Sequence, residues 1–170
     1  MTSVSRTGAI AASPEVVWAA LADFGAIVVW APNVDHSCLL TDQESGVGTA
    51  RRIQAGRTTL VETVTEWTPP TTTGPGTLTY SLAGLPKVIR SVTNSWRLTL
   101  DNGGTTVTLT STVDAGPRPP RRLVARIVAR KLAAASDEMI AGLTAHVSSH
   151  RADTPSGPTT GPTTDPEVSS

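Results

Sequence analysis

Two oppositely charged residues, Arg51 and Glu62, are the clearest candidates for chemistry in this sequence. Gly56 and Arg57 between them fit a two-residue hairpin turn with glycine in its first position. That turn sets an antiparallel register in which Arg51 lies opposite Glu62. On a face that lines a cavity, the guanidinium can bind a carboxylate or carbonyl oxygen, and the carboxylate can orient it or move a proton. The alternative is a structural ion pair on an exposed face.

A second hairpin supplies two further polar candidates, Asn94 and Ser111. An Asn-Gly turn at residues 102–103 sets a register that pairs these two residues and also pairs Trp96 with Leu109. The face they share is otherwise apolar, so this sheet has one wet face and one buried face. Buried polar groups need partners. Asn94 and Ser111 therefore either bond each other or point at a ligand or water in a cavity.

The chain's single tyrosine, Tyr80, alternates with Leu78 and Leu82 in the preceding strand. Its hydroxyl can reach the same space, where it can donate to a carbonyl or act as a general acid. The alternative is a core tyrosine with its hydroxyl at the rim of the core.

Three tryptophans, Trp30, Trp67 and Trp96, fit either an aromatic lining or ordinary core packing. Simple strand alternation places Trp67 with Val61, on the face opposite Arg51. Trp18, on the first predicted helix, is assigned to packing.

No metal site or cofactor is predicted. His146 and His150 are four residues apart with Asp153 beyond them, but no second metal-binding motif accompanies them. Glycines 46 and 48 lack the further glycine and the helix of a phosphate-binding loop. Cys38 is the only cysteine, so a disulfide within the chain is impossible, and a cytoplasmic location is expected.

Charge indicates which partners to expect. Fourteen Lys and Arg balance fourteen Asp and Glu, which argues against general nucleic-acid binding. A stripe of Arg122, Arg126 and Arg130 near the start of the last helix is either a solvated face or a contact for an anionic partner, such as phospholipid headgroups or an acidic protein. Residues 16–31 are too short an apolar run to span a membrane, and no signal peptide is expected.

The elements that must position these residues follow from periodicity. The pattern predicts a strand over residues 3–11, two short helices beginning at Ser13-Pro14, six further strands, and a long helix over residues 120–149. The apolar stripe of that helix is predicted to comprise Val124, Ile127, Val128, Leu132, Ala135, Met139, Leu143 and Val147. The order predicts an α+β fold, with an antiparallel sheet wrapped around the long helix.

The chain length of 170 residues fits one domain, predicted over residues 1–150. Residues 151–170 are rich in Pro, Thr, Gly and Ser and contain almost no apolar residues. They are therefore predicted to form a disordered tail.

This arrangement resembles the START-like (SRPBCC) superfamily with its helix-grip fold, and within it the polyketide cyclase/dehydrase family. The segments that carry the resemblance are Ala12–Trp18, Asp23-Phe24, Trp30–Val34, Gly46–Arg51, Leu60–Glu62, Tyr80, Leu85-Pro86 and Trp96. The resemblance covers about residues 3–149 and implies a cavity between sheet and long helix that holds a hydrophobic small molecule.

Three functions fit this resemblance and the candidate residues. The favoured one is binding of a lipid, polyketide or isoprenoid in the cavity, with Trp30, Arg51, Glu62, Tyr80, Asn94, Trp96 and Ser111 as ligand-binding residues. The second is a cofactor-free polyketide cyclase or dehydratase, in which Arg51 polarises a carbonyl and Tyr80 or Glu62 exchanges protons. The third is a regulatory module that binds another protein through the basic start of the last helix.

Overall fold

The computed structural model describes residues 1–116 and 119–152 of the chain. Its elements follow the predicted order of one strand, two short helices, six strands and one long helix. The strands are β1 (Thr2–Ile10), β2 (His36–Leu39), β3 (Ala50–Ala55), β4 (Thr58–Thr68), β5 (Gly76–Ala83), β6 (Ser91–Asp101) and β7 (Gly104–Asp114). The helices are α1 (Pro14–Ala22), a 3-10 helix (Phe24–Val29) and α2 (Pro119–Ala152). The tail predicted for residues 151–170 lies outside the described residues, apart from the last two residues of α2.

The strands form one curved antiparallel sheet of seven strands, in the order β1-β7-β6-β5-β4-β3-β2. Only β1 lies out of chain order: it pairs with β7, and α1 and the 3-10 helix lie in its connection to β2. One face of the sheet packs against the helices. We call it the inner face, and Val64, Leu78, Tyr80, Trp96 and Leu109 mark it. The helix-grip architecture is thus confirmed.

Both predicted hairpin registers are confirmed. Arg51 pairs with Glu62 across β3 and β4, and Asn94 pairs with Ser111 across β6 and β7. The Asn-Gly turn at residues 102–103 explains the second register. Its φ angles are 47° at asparagine and 78° at glycine, in the left-handed region that these two residues tolerate best.

The predicted orientation of Trp67 is wrong. A bulge in β4 lies between Val64, which pairs with Tyr80, and Glu66, which pairs with Thr79. The extra residue, Thr65, shifts the alternation by one position. Trp67 consequently pairs with Leu78 and packs on the inner face rather than sharing a face with Val61.

The stripe by which the long helix packs on the sheet differs in part from the one predicted. Val124, Val128 and Leu132 are half-buried against the core, as predicted. The C-terminal half of the helix buries Met139, Leu143 and Val147 as expected, but Ile127 in the N-terminal half is 50% exposed. The residues that face the sheet there are smaller, namely Ala125, Ala129, Ala133 and Ser136. Small side chains let a helix backbone approach a sheet closely, so the N-terminal half turns its alanines inward and its branched side chains partly outward.

In the part of the chain that the structure describes, no helix combines the length and apolar character required to cross a membrane.

Candidate functional site

The Arg51–Glu62 pair lies on the inner face and is almost fully buried, with side-chain exposures of 3% and 4%. Arg51 Nη2 is 2.6 Å and Nε is 2.7 Å from Glu62 Oε2. The alternative of an exposed surface ion pair is therefore wrong. Two buried charges persist only when they are paired and hydrogen bonded, because desolvation of each one is unfavourable.

The 3-10 helix supplies the remaining partners of Arg51. Nη1 donates to the backbone carbonyl of Phe24, and the guanidinium carbon lies 3.8 Å from the centre of the Phe24 ring. The Tyr80 ring lies 5.4 Å away from the same carbon, so aromatic rings flank the cation. A guanidinium has five N–H donors, and subtracting the three polar contacts above leaves two for an oxygen atom of a ligand.

The candidates named from the sequence did not include Phe24. Its contact with Arg51 joins residues 27 positions apart, on a short helix and on a strand. No spacing rule predicts such a contact. The single usable signal was the helical spacing of Phe24 with Val17 and Leu21, which indicated only that it is buried.

Tyr80 is fully enclosed beside this pair. Burial raises the pKa of its phenol to about 12; the Glu62 carboxylate adds to the rise, and Arg51 opposes it. The indole Nε1 of Trp96 donates to the Tyr80 hydroxyl over 3.4 Å, and a hydrogen bond with Asn94 also favours the ionised form. At neutral pH Tyr80 is a phenol that can donate a hydrogen bond. It is not a base.

Asn94 and Ser111 form a hydrogen bond with each other, which is one of the two alternatives given by the sequence. Ser111 Oγ donates to Asn94 Oδ1 over 2.7 Å, and both side chains are buried. Asn94 also bonds the Tyr80 hydroxyl, and the Tyr80 ring adjoins the Arg51 guanidinium, so the five polar residues lie together in one group. We call it the inner polar cluster, and it consists of Arg51, Glu62, Tyr80, Asn94 and Ser111.

The tryptophans divide into two edge-to-face pairs. The rings of Trp30 and Trp96 are 5.9 Å apart, next to the inner polar cluster. The rings of Trp18 and Trp67 are 5.2 Å apart and form a separate contact between α1 and β4. The structure thus brings together all seven predicted ligand-binding residues, whereas Trp67 packs with the tryptophan that was assigned to the core.

The histidine pair and the basic stripe on α2 lie outside the inner polar cluster. Among residues 1–116 and 119–152, no group of three or more His, Cys, Asp or Glu side chains is placed to hold a metal ion. The rings of His146 and His150 lie 4.3 Å apart, and Asp153 falls outside the described residues. Arg126 and Arg130 are exposed on α2, while the side chain of Arg122 is outside the described part.

Comparison with known proteins gives the family. A model of the family described as polyketide cyclase / dehydrase and lipid transport matches residues 1–148, and the chain belongs to this family. Comparison with curated proteins gives no significant match.

Solved structures share the fold at low identity. The Zhui aromatase/cyclase from Streptomyces sp. R1128 superposes with a TM-score of 0.71 at 17% identity, over 90% of this chain and 96% of that one. Ara h 8.0201 superposes with a TM-score of 0.66 at 14% identity, over 87% and 98%. The di-domain aromatase/cyclase StfQ from the steffimycin biosynthetic pathway gives 0.71 at 13%, over 88% of this chain and 51% of that one.

Proposed function

We propose that the protein binds a hydrophobic small molecule, of lipid, polyketide or isoprenoid type, between the inner face of the sheet and α2. The observation that carries this proposal is the inner polar cluster, which is buried within an otherwise apolar face. Ligand sites commonly combine apolar walls with a few convergent polar groups that fix orientation. The family description, which includes lipid transport, supports the same class of ligand.

The proposed site assigns different tasks to the apolar and polar residues. Trp30 and Trp96 contact the apolar body of the ligand. The two remaining N–H groups of Arg51 and the phenol of Tyr80 bind a ligand oxygen. Glu62, Asn94 and Ser111 hold these donors in place through the contacts described above.

Native mass spectrometry of the purified protein, followed by denaturing extraction, tests the proposal. We expect a discrete co-purifying hydrophobic compound, or saturable uptake of a fluorescent fatty acid such as NBD-dodecanoic acid. Leu82, half-buried and paired with Glu62, offers a lining variant. Leu82→Gln should weaken probe binding by about tenfold, or 1.4 kcal/mol. The matched variant Leu100→Gln, at a leucine that is 58% exposed, should not. A protein that carries no compound and takes up no probe would overturn the proposal.

A second candidate is a cofactor-free polyketide cyclase or dehydratase. The observation in its favour is the position of the Arg51 guanidinium beside the Tyr80 ring in a buried, aromatic environment. There the cation can polarise a ketone and the phenol can donate a proton or hydrogen bond. Tyr80→Phe should then abolish turnover of a poly-β-ketone thioester while weakening its binding only by the loss of one hydrogen bond. Equal turnover in the variant and the parent would exclude this role.

Contact with an anionic surface is a further part of the proposal, through Arg122, Arg126 and Arg130. Arg126 and Arg130 are exposed, and Leu123 and Ile127 beside them are 61% and 50% exposed. Cations next to exposed apolar side chains suit a lipid surface. Capture of an acidic protein by the same residues would instead support a regulatory role. A cytoplasmic location fits the lone cysteine, Cys38.

A further inference from the structure

The two edges of the seven-stranded sheet differ in how well their backbone groups are protected. β1 forms one edge and β2 the other. At the β1 edge, the Arg6 guanidinium bonds the backbone oxygen of Ser5 and the Asp137 carboxylate of α2, each over 3.1 Å. A charged side chain that covers the backbone of an edge strand blocks its pairing with another strand. The β1 edge is therefore guarded.

The β2 edge has no comparable guard. The N–H of Leu40 donates to the carbonyl of Ala50 at the start of β3 over 2.8 Å. Because successive strand residues point their backbone groups to opposite sides, Cys38 also bonds β3, whereas Ser37 and Leu39 direct theirs away from the sheet. In the part of the chain that the structure describes, no group bonds the outward N–H or C=O of these two residues.

Exposed side chains adjoin the β2 edge. His36 and Cys38 are exposed on the face of β2 opposite the inner face. Leu40, directly after the strand, is 52% exposed. An exposed apolar side chain beside an open strand edge is a combination that sheets usually avoid, because it favours pairing with another chain.

The geometry of β2 specifies one symmetric pairing with a second copy. Closed dimers have a twofold axis, and two identical strands that pair about such an axis are antiparallel. Within β2, only the register that places Ser37 opposite Leu39 of the second copy uses both outward residues of each strand. Each of these pairs then exchanges both of its backbone hydrogen bonds. In this register Cys38 lies on the axis, opposite its own counterpart, and Leu40 lies opposite His36 of the second copy.

We propose that the β2 edge is a docking surface for a second copy of this chain, paired antiparallel about Cys38. The pairing satisfies the outward backbone groups of Ser37 and Leu39, and it covers the exposed apolar surface of Leu40. Because the net charge of the chain is zero, no overall repulsion opposes the approach of two copies. The docking surface lies at the edge of the sheet and does not depend on a ligand at the inner face.

The size of the contact sets its expected strength. Stable specific interfaces bury at least about 1,200 Å² in total, which is more than a strand of four residues supplies. We therefore expect a weak dimer whose population depends on concentration, with a dissociation constant of about 10 μM to 1 mM.

Sedimentation equilibrium of the reduced full chain, from about 10 μM to 1 mM, tests the proposal. We expect the weight-average mass to rise toward twice the monomer mass. Ser37→Pro removes an outward N–H that the fold does not use, so the sheet should persist and association should weaken by at least about tenfold. Leu40→Lys should have the same effect without any change to the backbone.

Leu100→Lys, at a leucine of β6 that is 58% exposed, supplies the control and should associate like the parent. Protein that stays monomeric at every concentration would overturn the proposal. A dimer that is equally stable in Ser37→Pro and Leu40→Lys would also overturn it, because the two copies would then meet at another surface.

Cys38 reports the register of the pairing. In an antiparallel pair without mutual hydrogen bonds the Cα atoms are about 4.5 Å apart, within the range of about 4.4–6.8 Å that a disulfide spans. Diamide, a diazene oxidant, takes one hydrogen atom from each of two thiols, which leaves a disulfide and a hydrazine. We expect diamide to link the parent into a covalent dimer at least about tenfold faster than the double variant Cys38→Ser, Ser5→Cys. That variant places an exposed thiol on the guarded β1 edge. Equal rates in the two proteins would overturn the proposal.

Discussion

The buried pair of Arg51 and Glu62 shows how single residues tie this fold together. The guanidinium bonds a strand neighbour and the backbone of the 3-10 helix at once, so one side chain fixes the position of Phe24 over the sheet. A lysine could not do this, since its ammonium lacks the planar fork of donors. The same geometry keeps two N–H groups available on the inner face. The structural role of Arg51 is thus compatible with the binding role that we propose for it.

Removal of one partner from this pair should lower the stability of the fold more than removal of both. Glu62→Leu leaves an unpaired buried cation and should lower the free energy of unfolding by about 3–5 kcal/mol. The double variant Arg51→Met, Glu62→Leu should recover about 2–3 kcal/mol of that loss. Urea unfolding followed by tryptophan fluorescence measures both values. A double variant less stable than either single variant would contradict this view of the pair.

Tyr80 should make stability depend on alkaline pH. Its folded pKa of about 12 exceeds the unfolded value of about 10, so the folded state holds the proton more tightly. The tyrosine's contribution is therefore constant below pH 10 and is lost as pH rises from about 10 to 12, by about 2–3 kcal/mol. Tyr80→Phe should lack this component.

Because Tyr80 is the chain's only tyrosine, absorbance at 295 nm follows its ionisation without ambiguity. Unfolded protein should titrate near pH 10, and native protein only as it approaches pH 12 or unfolds. Native titration near pH 10 would show that water reaches the phenol.

At the scale of elements, glycines set how closely α2 approaches the rest of the fold. A Cβ at Gly142 would lie within 2.1 Å of the backbone oxygen of Trp30, and a Cβ at Gly8 within 2.5 Å of Ile140. The C-terminal half of α2 is thus pressed against both β1 and the end of the 3-10 helix. This contact fixes the position of Trp30, whose ring packs against Trp96 on the inner face.

Gly142→Ala should therefore destabilise the protein, although alanine is the better helix former. Helix propensity alone would favour the change by up to about 1 kcal/mol, but the clash with Trp30 should reverse the sign and lower stability by about 1–3 kcal/mol. Ser148→Ala, at an exposed position of the same helix, supplies the control and should be neutral or slightly stabilising. Thermal unfolding distinguishes the two. A Gly142→Ala variant more stable than the parent would mean that α2 can move away from the backbone at Trp30 without loss of stability.

At the scale of the whole molecule, charge is balanced in number but not in position. Residues 115–136 contain six cations and no acidic residue, out of fourteen of each sign in the chain. The described part of this segment also exposes Leu123 and Ile127. The sequence of this segment is consequently basic, and its described part exposes apolar side chains, while the net charge of the chain is zero.

This asymmetry predicts selective binding to anionic vesicles. The protein should co-sediment with phosphatidylserine-containing vesicles at low ionic strength and much less with phosphatidylcholine alone. Arg126→Glu with Arg130→Glu should reduce binding by about tenfold or more, at about 1 kcal/mol for each cation. Arg57→Glu with Arg97→Glu reverses two exposed cations, one in the turn between β3 and β4 and one on β6, and should have little effect. An equal loss of vesicle binding in both double variants would show that binding depends on net charge and not on the position of these cations.

Local rules were sufficient for much of the fold. Turn residues at Gly56 and at Asn102-Gly103 fix the hairpin registers, because a two-residue turn admits only one pairing. Those registers place Arg51 opposite Glu62 and Asn94 opposite Ser111. Helical and strand periodicity likewise gave the order of elements.

Only the tertiary structure decided which faces are buried and which residues of different strands and helices contact each other. A bulge at Thr65 turned Trp67 inward, and the alanine face of α2 displaced Ile127 toward solvent. The contact of Arg51 with Phe24 also belongs to this class. Periodicity within one element reports which residues share a face. Which face is buried depends on the size and approach of the neighbouring elements, and no local pattern contains that information.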